Sequence, residues 1–476
     1  MWLTTLVTLY LVLSCVVRVS RWLSIVQQKE YRFDRLSIFF RTTEGLQELV
    51  RLPLLSDFSK TGFKRPKLTL RMIITAGVSI YILMLMNVYL RWPFILYLLF
   101  LNLFLPFLIA IIALLPTKVV EIYASYLLRK AGQKIRSSNA KVIGITGSFG
   151  KTATKIVLSH VLKQKYSVFM PPSSYNTILS ISQSVLDSYS NQEIAVIEYA
   201  AYRTGEIAKL AAEIKPEIAV ITGLTAQHLG LFGSVENIIA AKSELIKALP
   251  AQATIYYANE SAYRIVAPND LSTKKVIPTK EVTEITGNQS KNGWLEITVG
   301  SEKLQTKLVG EQYIETIKTV WAVARDLGMS TAQFIQAMQT FVPPKNFTSL
   351  SLLKTGTRLI DDGGTSNPVG FTAALQILKK VDAHKKILIT SGIVDLGEKS
   401  AHIHTELAMQ AHQIADEVWY VGSTGKEFFR EVFGEQLIDS QSSILRKLQS
   451  TSADQLLLIE GRMPGWFTKV LNTMLK

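Results

Sequence analysis

Residues 72–90 carry no charged side chain, and after a break at Arg91-Trp92-Pro93 a second run, residues 93–115, is interrupted only by Asn102 and Pro106. Two successive apolar stretches of about twenty residues each match the thickness of a hydrocarbon layer when helical. Inside such a layer only a helix or a closed barrel satisfies its own backbone. The short break with a tryptophan at its tip reads as the turn of a helical hairpin whose ring lies at an interface. A third apolar run, residues 2–17, falls short of the roughly twenty residues a span needs. It has no basic segment before it and no small-residue cleavage site, and its positive charges follow it, so it reads as a retained anchor rather than a cleaved signal. Three transmembrane helices are expected, at about 2–17, 72–90 and 93–115.

Charge is distributed as unevenly as hydropathy. Residues 1–140 hold 18 Lys/Arg against 6 Asp/Glu, so +12 of the formal +15 lies in the first third. Residues 18–71 account for twelve of those basic residues, and Lys118, Arg129, Lys130, Lys134 and Arg136 follow the hairpin. Lys/Arg excess marks the cytoplasmic side of a membrane. Both basic segments and everything after residue 116 are therefore expected inside the cell, in a multi-pass protein of the plasma membrane. The segment "QQKEYRFDRLSIFF", residues 27–40, alternates basic and aromatic residues; contact with anionic lipid headgroups and a solvated helix face are both open readings. With only +3 left over residues 141–476, no nucleic-acid partner is expected. A single cysteine, Cys15, excludes an intrachain disulfide and a cysteine-built zinc site.

From residue 141 the pattern changes to strands alternating with helices. "KVIGIT", "EIAVIEYA" and "EIAVITGL" are buried-strand candidates, and their alternation with helical stretches implies a parallel sheet covered on both faces. Residues 252–308, with short alternating stretches and many turn residues, are expected to form an antiparallel insert. "PP" at 343–344 marks a linker, beyond which "TRLIDD", "KKILITSG", "DEVWYVG" and "DQLLLIEG" give a second, smaller α/β domain. The expected organisation is a membrane region over 1–140, a central domain over 141–342 and a C-terminal domain over 343–476.

Between the first strand and its helix stands "GITGSFGKTATK", residues 144–155. The general phosphate loop has four residues between its first glycine and Gly-Lys-Thr. Here five separate Gly144 from Gly150, and two separate Gly147 from Gly150. A glycine loop in this position still turns backbone N–H groups and a helix N-terminus toward a phosphate. Lys151 would neutralise the β- and γ-phosphates, and the Thr152 hydroxyl would reach Mg²⁺. The plain alternative is a glycine turn ahead of a helix.

The loop resembles that of the Mur ligase family, ATP-dependent amide ligases of peptidoglycan precursor synthesis, which write it Thr-Gly-x-x-Gly-Lys-Thr, as residues 146–152 do. The resemblance continues in order through residues 197–250, "LIDDGGTSNP" (359–368) and "DLGEKSAHIH" (395–404), and it covers roughly residues 141–476. Within the family it is most like the members that add D-alanyl-D-alanine. It implies a central ATP-binding domain, a Rossmann-like C-terminal domain, and ATP and Mg²⁺ as cofactors. Thr146, Gly147, Ser148, Phe149, Gly150, Lys151 and Thr152 would bind ATP phosphates, with Asp362 and Asn367 on the nucleoside side. Glu198 and His228 would hold Mg²⁺ with Thr152. Lys242 aligns with a lysine that many members carbamylate, which would place a second Mg²⁺. Asn176, Thr177 and His404 fall at substrate-side positions.

The chemistry implied is two-step. A substrate carboxylate takes the γ-phosphoryl group of ATP, and an amine then displaces phosphate from the acyl phosphate. The partners implied are a cell-envelope precursor, lipid-linked or free, an amino acid or dipeptide, and membrane lipids. Three departures concern the nucleotide: Asn346 stands where an arginine is usual, "GEQYIET" (310–316) replaces the adenine-side motif, and Gly364 replaces a Tyr or Lys. The family's UDP-binding domain is expected to be replaced by the membrane region. A poly-γ-glutamate-type ligase and a catalytically weak scaffold subunit of the same fold remain alternatives.

Overall fold

The computed structural model of the chain describes residues 2–29, 31–41, 43–50, 66–90, 93–172, 175–225, 229–345, 347–364, 366–394, 396 and 399–475. They form two compact units, Met1–Ser125 and Tyr126–Lys476.

In the first unit the apolar runs become helices Trp2–Gln28, Leu70–Leu90 and Phe94–Leu114, with two short helices, Phe33–Arg41 and Thr43–Val50, between the first pair. The first helix runs well past the apolar stretch and carries Arg18 and Arg21 with it. Those guanidinium groups have partners: Arg18 Nη2 donates to the Leu49 carbonyl at 2.8 Å, and Arg21 pairs with Glu48. By length and composition Trp2–Gln28 and the continuous stretch Phe94–Arg136 can cross a membrane, whereas Leu70–Met86 is a shorter apolar helix. Arg91 and Trp92, the expected hairpin turn, lie outside the described residues. Trp22, Val26, Leu36, Leu105 and Ile109 form a buried cluster. Ile73, Ile74, Met84, Leu99, Phe104 and Ile111 are exposed, so both later helices present an apolar outer surface. Polar contacts are also buried among these helices. Ser14 Oγ donates to Asn102 Oδ1 at 2.6 Å, while Asn102 Nδ2 donates to the Leu98 carbonyl at 3.0 Å.

The second unit is built on two six-stranded sheets. The first contains β1 (Lys141–Thr146), β2 (Val168–Phe169), β3 (Ile194–Glu198), β4 (Ile218–Ile221), β5 (Thr254–Tyr257) and β6 (Lys275–Pro278). Its order is β2-β3-β1-β4-β5-β6 and every pairing is parallel. β1 is therefore flanked by β3 and β4, and the chain leaves it first toward one edge and later toward the other. Loops at the C-terminal end of such a strand diverge and leave a crevice. β5 and β6 correct the expected antiparallel insert. Ile255 and Tyr256 are both buried although they point to opposite faces, because helices cover the sheet on each side. Within the expected insert, the antiparallel strands are β7 (Ile285–Gln289), β8 (Leu295–Val299) and β9 (Glu302–Gln305).

The second sheet contains β10 (Ser349–Leu352), β11 (Arg358–Asp362), β12 (Lys385–Thr390), β13 (Glu417–Tyr420), β14 (Leu437–Ile438) and β15 (Gln455–Glu460), in the order β10-β11-β15-β12-β13-β14. β10 alone is antiparallel to its neighbour. Pro343 and Pro344 lie in irregular chain between helix Thr331–Thr340 and β10.

Candidate functional site

β1 ends at Thr146, whose hydroxyl donates to the Tyr199 carbonyl at 2.7 Å and so ties the loop to the end of β3. Gly147 follows with φ +148°, and a Cβ there would stand 2.1 Å from Thr222 Oγ1, so the tight approach of β4 requires glycine. Ser148 donates its N–H to the Gly223 carbonyl at 2.7 Å and its hydroxyl to the Thr225 carbonyl at 3.2 Å. The Phe149 ring lies against Gly223, where a Cβ would meet it at 2.3 Å. Gly150, with φ +76°, is the N-cap of helix Lys151–Leu162, and Thr152 sits in the first turn of that helix. The loop is thus held open by two glycines and stitched to the ends of both neighbouring strands.

Two lysines converge on one carbonyl of this loop. Lys151 Nζ donates to the Gly147 carbonyl at 2.8 Å and to that of Ser148 at 3.3 Å. Lys242 Nζ, from helix Val235–Lys247, donates to the same Gly147 carbonyl at 2.9 Å and is buried. Burial lowers the basicity of Lys151, opposed by Glu198. Burial pushes Lys242 well below the ordinary lysine range, and the neighbouring Lys151 cation pushes it further. Charging two ammonium groups side by side out of water is costly, so the site favours a polyanion.

Glu198 closes β3 and is fully buried, paired with Lys155 Nζ at 3.1 Å. Neither Glu198 oxygen accepts a further hydrogen bond. A buried carboxylate beside a phosphate-type loop, with lone pairs left over from its pairing with Lys155, fits a hard cation, which takes oxygen ligands. Lys155 escaped the sequence reading, although the signal was there. It stands four residues after Lys151 and therefore on the same helix face. Its Nζ also donates to the Pro171 carbonyl at 3.0 Å. From Pro171 the chain runs to Asn176, which is half-buried, and to Thr177, the exposed N-cap of helix Ile178–Ser188, whose side chain accepts from the Ser180 N–H.

The remaining expected residues belong to the second sheet or cannot be placed. Asp362 ends β11 beside Glu460 at the end of β15. Thr348 Oγ1 donates to Asp362 Oδ1 at 2.8 Å, and Gln312 Nε2 donates to the same hydroxyl at 3.3 Å, so Asp362 is linked to the 310–316 segment. Burial raises the Asp362 pKa, Glu460 is raised far more, and Ser366 Oγ donates to Glu460 Oε1 at 2.8 Å. Asn367 caps helix Pro368–Lys380, its Oδ1 accepting the Gly370 N–H at 3.0 Å. His404 is fully buried; its Nε2 accepts the Ile393 N–H at 3.1 Å and its Nδ1 donates to the Ser400 carbonyl at 2.8 Å. Both ring nitrogens are committed to backbone, so direct contact with a substrate would require breaking one of these bonds. His228 and Asn346 lie outside the described residues. The structure therefore gathers Thr146–Thr152, Glu198 and Lys242 at one sheet end and adds Lys155 to them.

Residues 145–321 match the Mur ligase middle domain. The UDP-N-acetylmuramoyl-tripeptide–D-alanyl-D-alanine ligase of Bacillus subtilis is 25% identical over 307 residues, 61% of this chain and 65% of that protein. The ligase of the same name from Rickettsia prowazekii is 28% identical over 309 residues, 61% of this chain and 67% of its own length. The matches thus span about two thirds of these relatives. Among solved structures, the MurF ligase from Thermotoga maritima in complex with ADP superposes with a TM-score of 0.63 at 24% identity, covering 74% of this chain and 83% of that one. That likeness concerns the α/β fold.

Proposed function

We propose, from the match of residues 145–321 to the Mur ligase middle domain, that the protein is an ATP-dependent amide ligase that acts on a cell-envelope precursor through an acyl phosphate. The observation that carries this reading is the convergence of Lys151 and Lys242 on the Gly147 carbonyl beside the buried Glu198 carboxylate. Phosphoryl transfer builds negative charge on the migrating group, and fixed cations and backbone N–H groups are the means of stabilising it. Lys151 is placed for that work, and the loop from Thr146 to Thr152 for binding the phosphates.

Thr152 and Glu198, with His228, would hold Mg²⁺, which supplies charge neutralisation at the phosphates. Lys242 supports carbamylation: a lysine driven toward its neutral amine by burial is in the form that reacts with carbon dioxide. The product is an anionic oxygen ligand for a second cation. Asp362 and Asn367 are assigned to the nucleoside side, and Asn176 and Thr177 to the substrate side. His404 is assigned to holding the 393–400 segment rather than to touching substrate. The acyl donor is taken to be a peptidoglycan-type precursor and the acceptor an amino acid or dipeptide, by analogy with the relatives' names. The unit spanning residues 1–125 is read as a membrane anchor, from its exposed apolar helix faces and its flanking basic residues. Residues 141–342 and 343–476 would then act as central and C-terminal domains on the cytoplasmic side.

The test is ADP release by detergent-solubilised protein, offered envelope precursors and amino acids in combination. Lys151→Ala is expected to abolish release while the circular dichroism spectrum and Tm stay near wild type. A wild-type protein that neither binds nor hydrolyses ATP with any pair offered would end the ligase reading.

A further inference from the structure

Lys155 has no part in the chemistry above, yet it is the most enclosed cation at the site. Its side chain is 0% exposed, as is that of Glu198. Burying an ion pair seldom adds net stability, because desolvation offsets attraction, and an apolar side chain of similar volume often serves as well. What methionine could not supply are specific contacts of the ammonium, among them one to Glu198 at 3.1 Å and one to the Pro171 carbonyl at 3.0 Å. The first partner ends the central strand neighbouring β1. The second opens the segment that leads in six residues to Thr177 at the start of helix Ile178–Ser188. Lys155 is itself anchored one turn beyond Lys151 on the helix that the phosphate-type loop initiates.

We propose that Lys155 is a positioning residue: its ammonium fixes the Glu198 carboxylate for a divalent cation and fastens Pro171, from which the chain leads to Asn176 and Thr177, to the same carboxylate. The identities of cation and substrate rest on the reading given under the proposed function; the mechanical link between Glu198 and residues 171–177 does not. A cation arriving at Glu198 competes for the charge that Lys155 neutralises. The pull on the Pro171 carbonyl then changes with it, and the substrate-side segment responds to metal occupancy. Groups acting through another in this way typically alter affinity or activity by roughly 10–100-fold when removed.

The experiment uses the full chain in detergent with Lys155→Met, Glu198→Gln and the double variant. Hydrogen exchange of the 171–177 segment, read at the Tyr175, Asn176 and Thr177 amides because Pro171 and Pro172 carry no N–H, is measured with and without Mg²⁺ alone, and Tm is recorded across an Mg²⁺ titration. Lys155→Met should speed exchange in 171–177 by about tenfold or more while leaving residues 141–146 as in wild type. Its Tm should rise on adding Mg²⁺, because the cation replaces the lost counter-charge, and the double variant should show no such rise. Glu198→Gln keeps the shape but removes the charge, so it should loosen the same segment even if Lys155→Met fails to fold. Once turnover is established, Lys155→Met should raise KM for the carboxylate substrate more than it lowers kcat. Wild-type exchange in 171–177 in both single variants would overturn the proposal, as would equal Mg²⁺ responses in the single and double variants. Altered exchange in a protein that never turns over ATP would leave the tether standing and remove only the ligase reading.

Discussion

Lys242 and Lys155 are both lysines on amphipathic helices, and the sequence treats them alike; only their surroundings separate them. Lys242 drew attention because of its place in the resemblance, and Lys155 stood only as the last residue of the loop stretch 144–155. Nothing local says that Glu198, 43 residues away along the chain, will meet Lys155 in the interior. His404 went the other way. Its position pointed toward substrate, yet its ring closes two backbone bonds that no sequence pattern announces. The distinctive chemistry proposed for Lys242 yields a sharp expectation. Lys242→Arg keeps a cation but cannot form a carbamate, so amide synthesis should be lost and not regained with bicarbonate. Lys242→Ala should be inactive and regain part of its rate with bicarbonate or a small carboxylate in the assay. Wild-type rates for Lys242→Arg at saturating Mg²⁺ would remove the carbamate from the mechanism.

Strands and helices were legible where burial is two-sided or strictly periodic. "KVIGIT" and "DQLLLIEG" can hardly be anything but interior strands, and both are central in their sheets. β5 misled because "TIYY" offers no apolar face in the binary pattern; its tyrosines are amphipathic, and only the helices packed around it decide that it joins a parallel sheet. The same sheet ends create a pH dependence that propensity cannot reveal. Parallel register sets Asp362 beside Glu460, and burial followed by that acidic neighbour holds the Glu460 pKa well above its ordinary 4.5. The folded chain therefore keeps a proton that the unfolded chain has already released. Stability from this group is complete below about pH 4.5 and falls as pH rises through the folded pKa. Glu460→Gln mimics the protonated acid and cannot titrate. Its Tm should match wild type in acid, exceed it in mildly alkaline buffer, and vary less with pH between. Parallel Tm curves for the two proteins would rule out Glu460 as the titrating group.

At the scale of the molecule, the change from a basic, apolar first third to an α/β remainder was plain in the sequence, while the two compact units divide earlier, between Ser125 and Tyr126. The length of the first helix was not, because Arg18 and Arg21 read as an end signal while their partners lie about thirty residues further on. The proposed topology places residues 18–71 inside and the Arg91-Trp92-Pro93 break outside. Single cysteines introduced at Lys60 and Trp92, in a Cys15→Ser background, should then react with a membrane-impermeant maleimide from opposite faces. Reaction of both from one face would contradict the three-span arrangement. The Ser14–Asn102 contact carries a consequence for biosynthesis. Its two members are 88 positions apart, so at roughly 5–20 residues per second the first helix emerges some 4–18 s before its polar partner exists. During that interval the Ser14 hydroxyl lacks its Asn102 partner and can bond its own helix by reaching back to a carbonyl one turn earlier. The nascent first helix is a provisional guest until the asparagine arrives, and the ribosome, by finishing the hairpin, decides when it becomes a permanent member of the bundle.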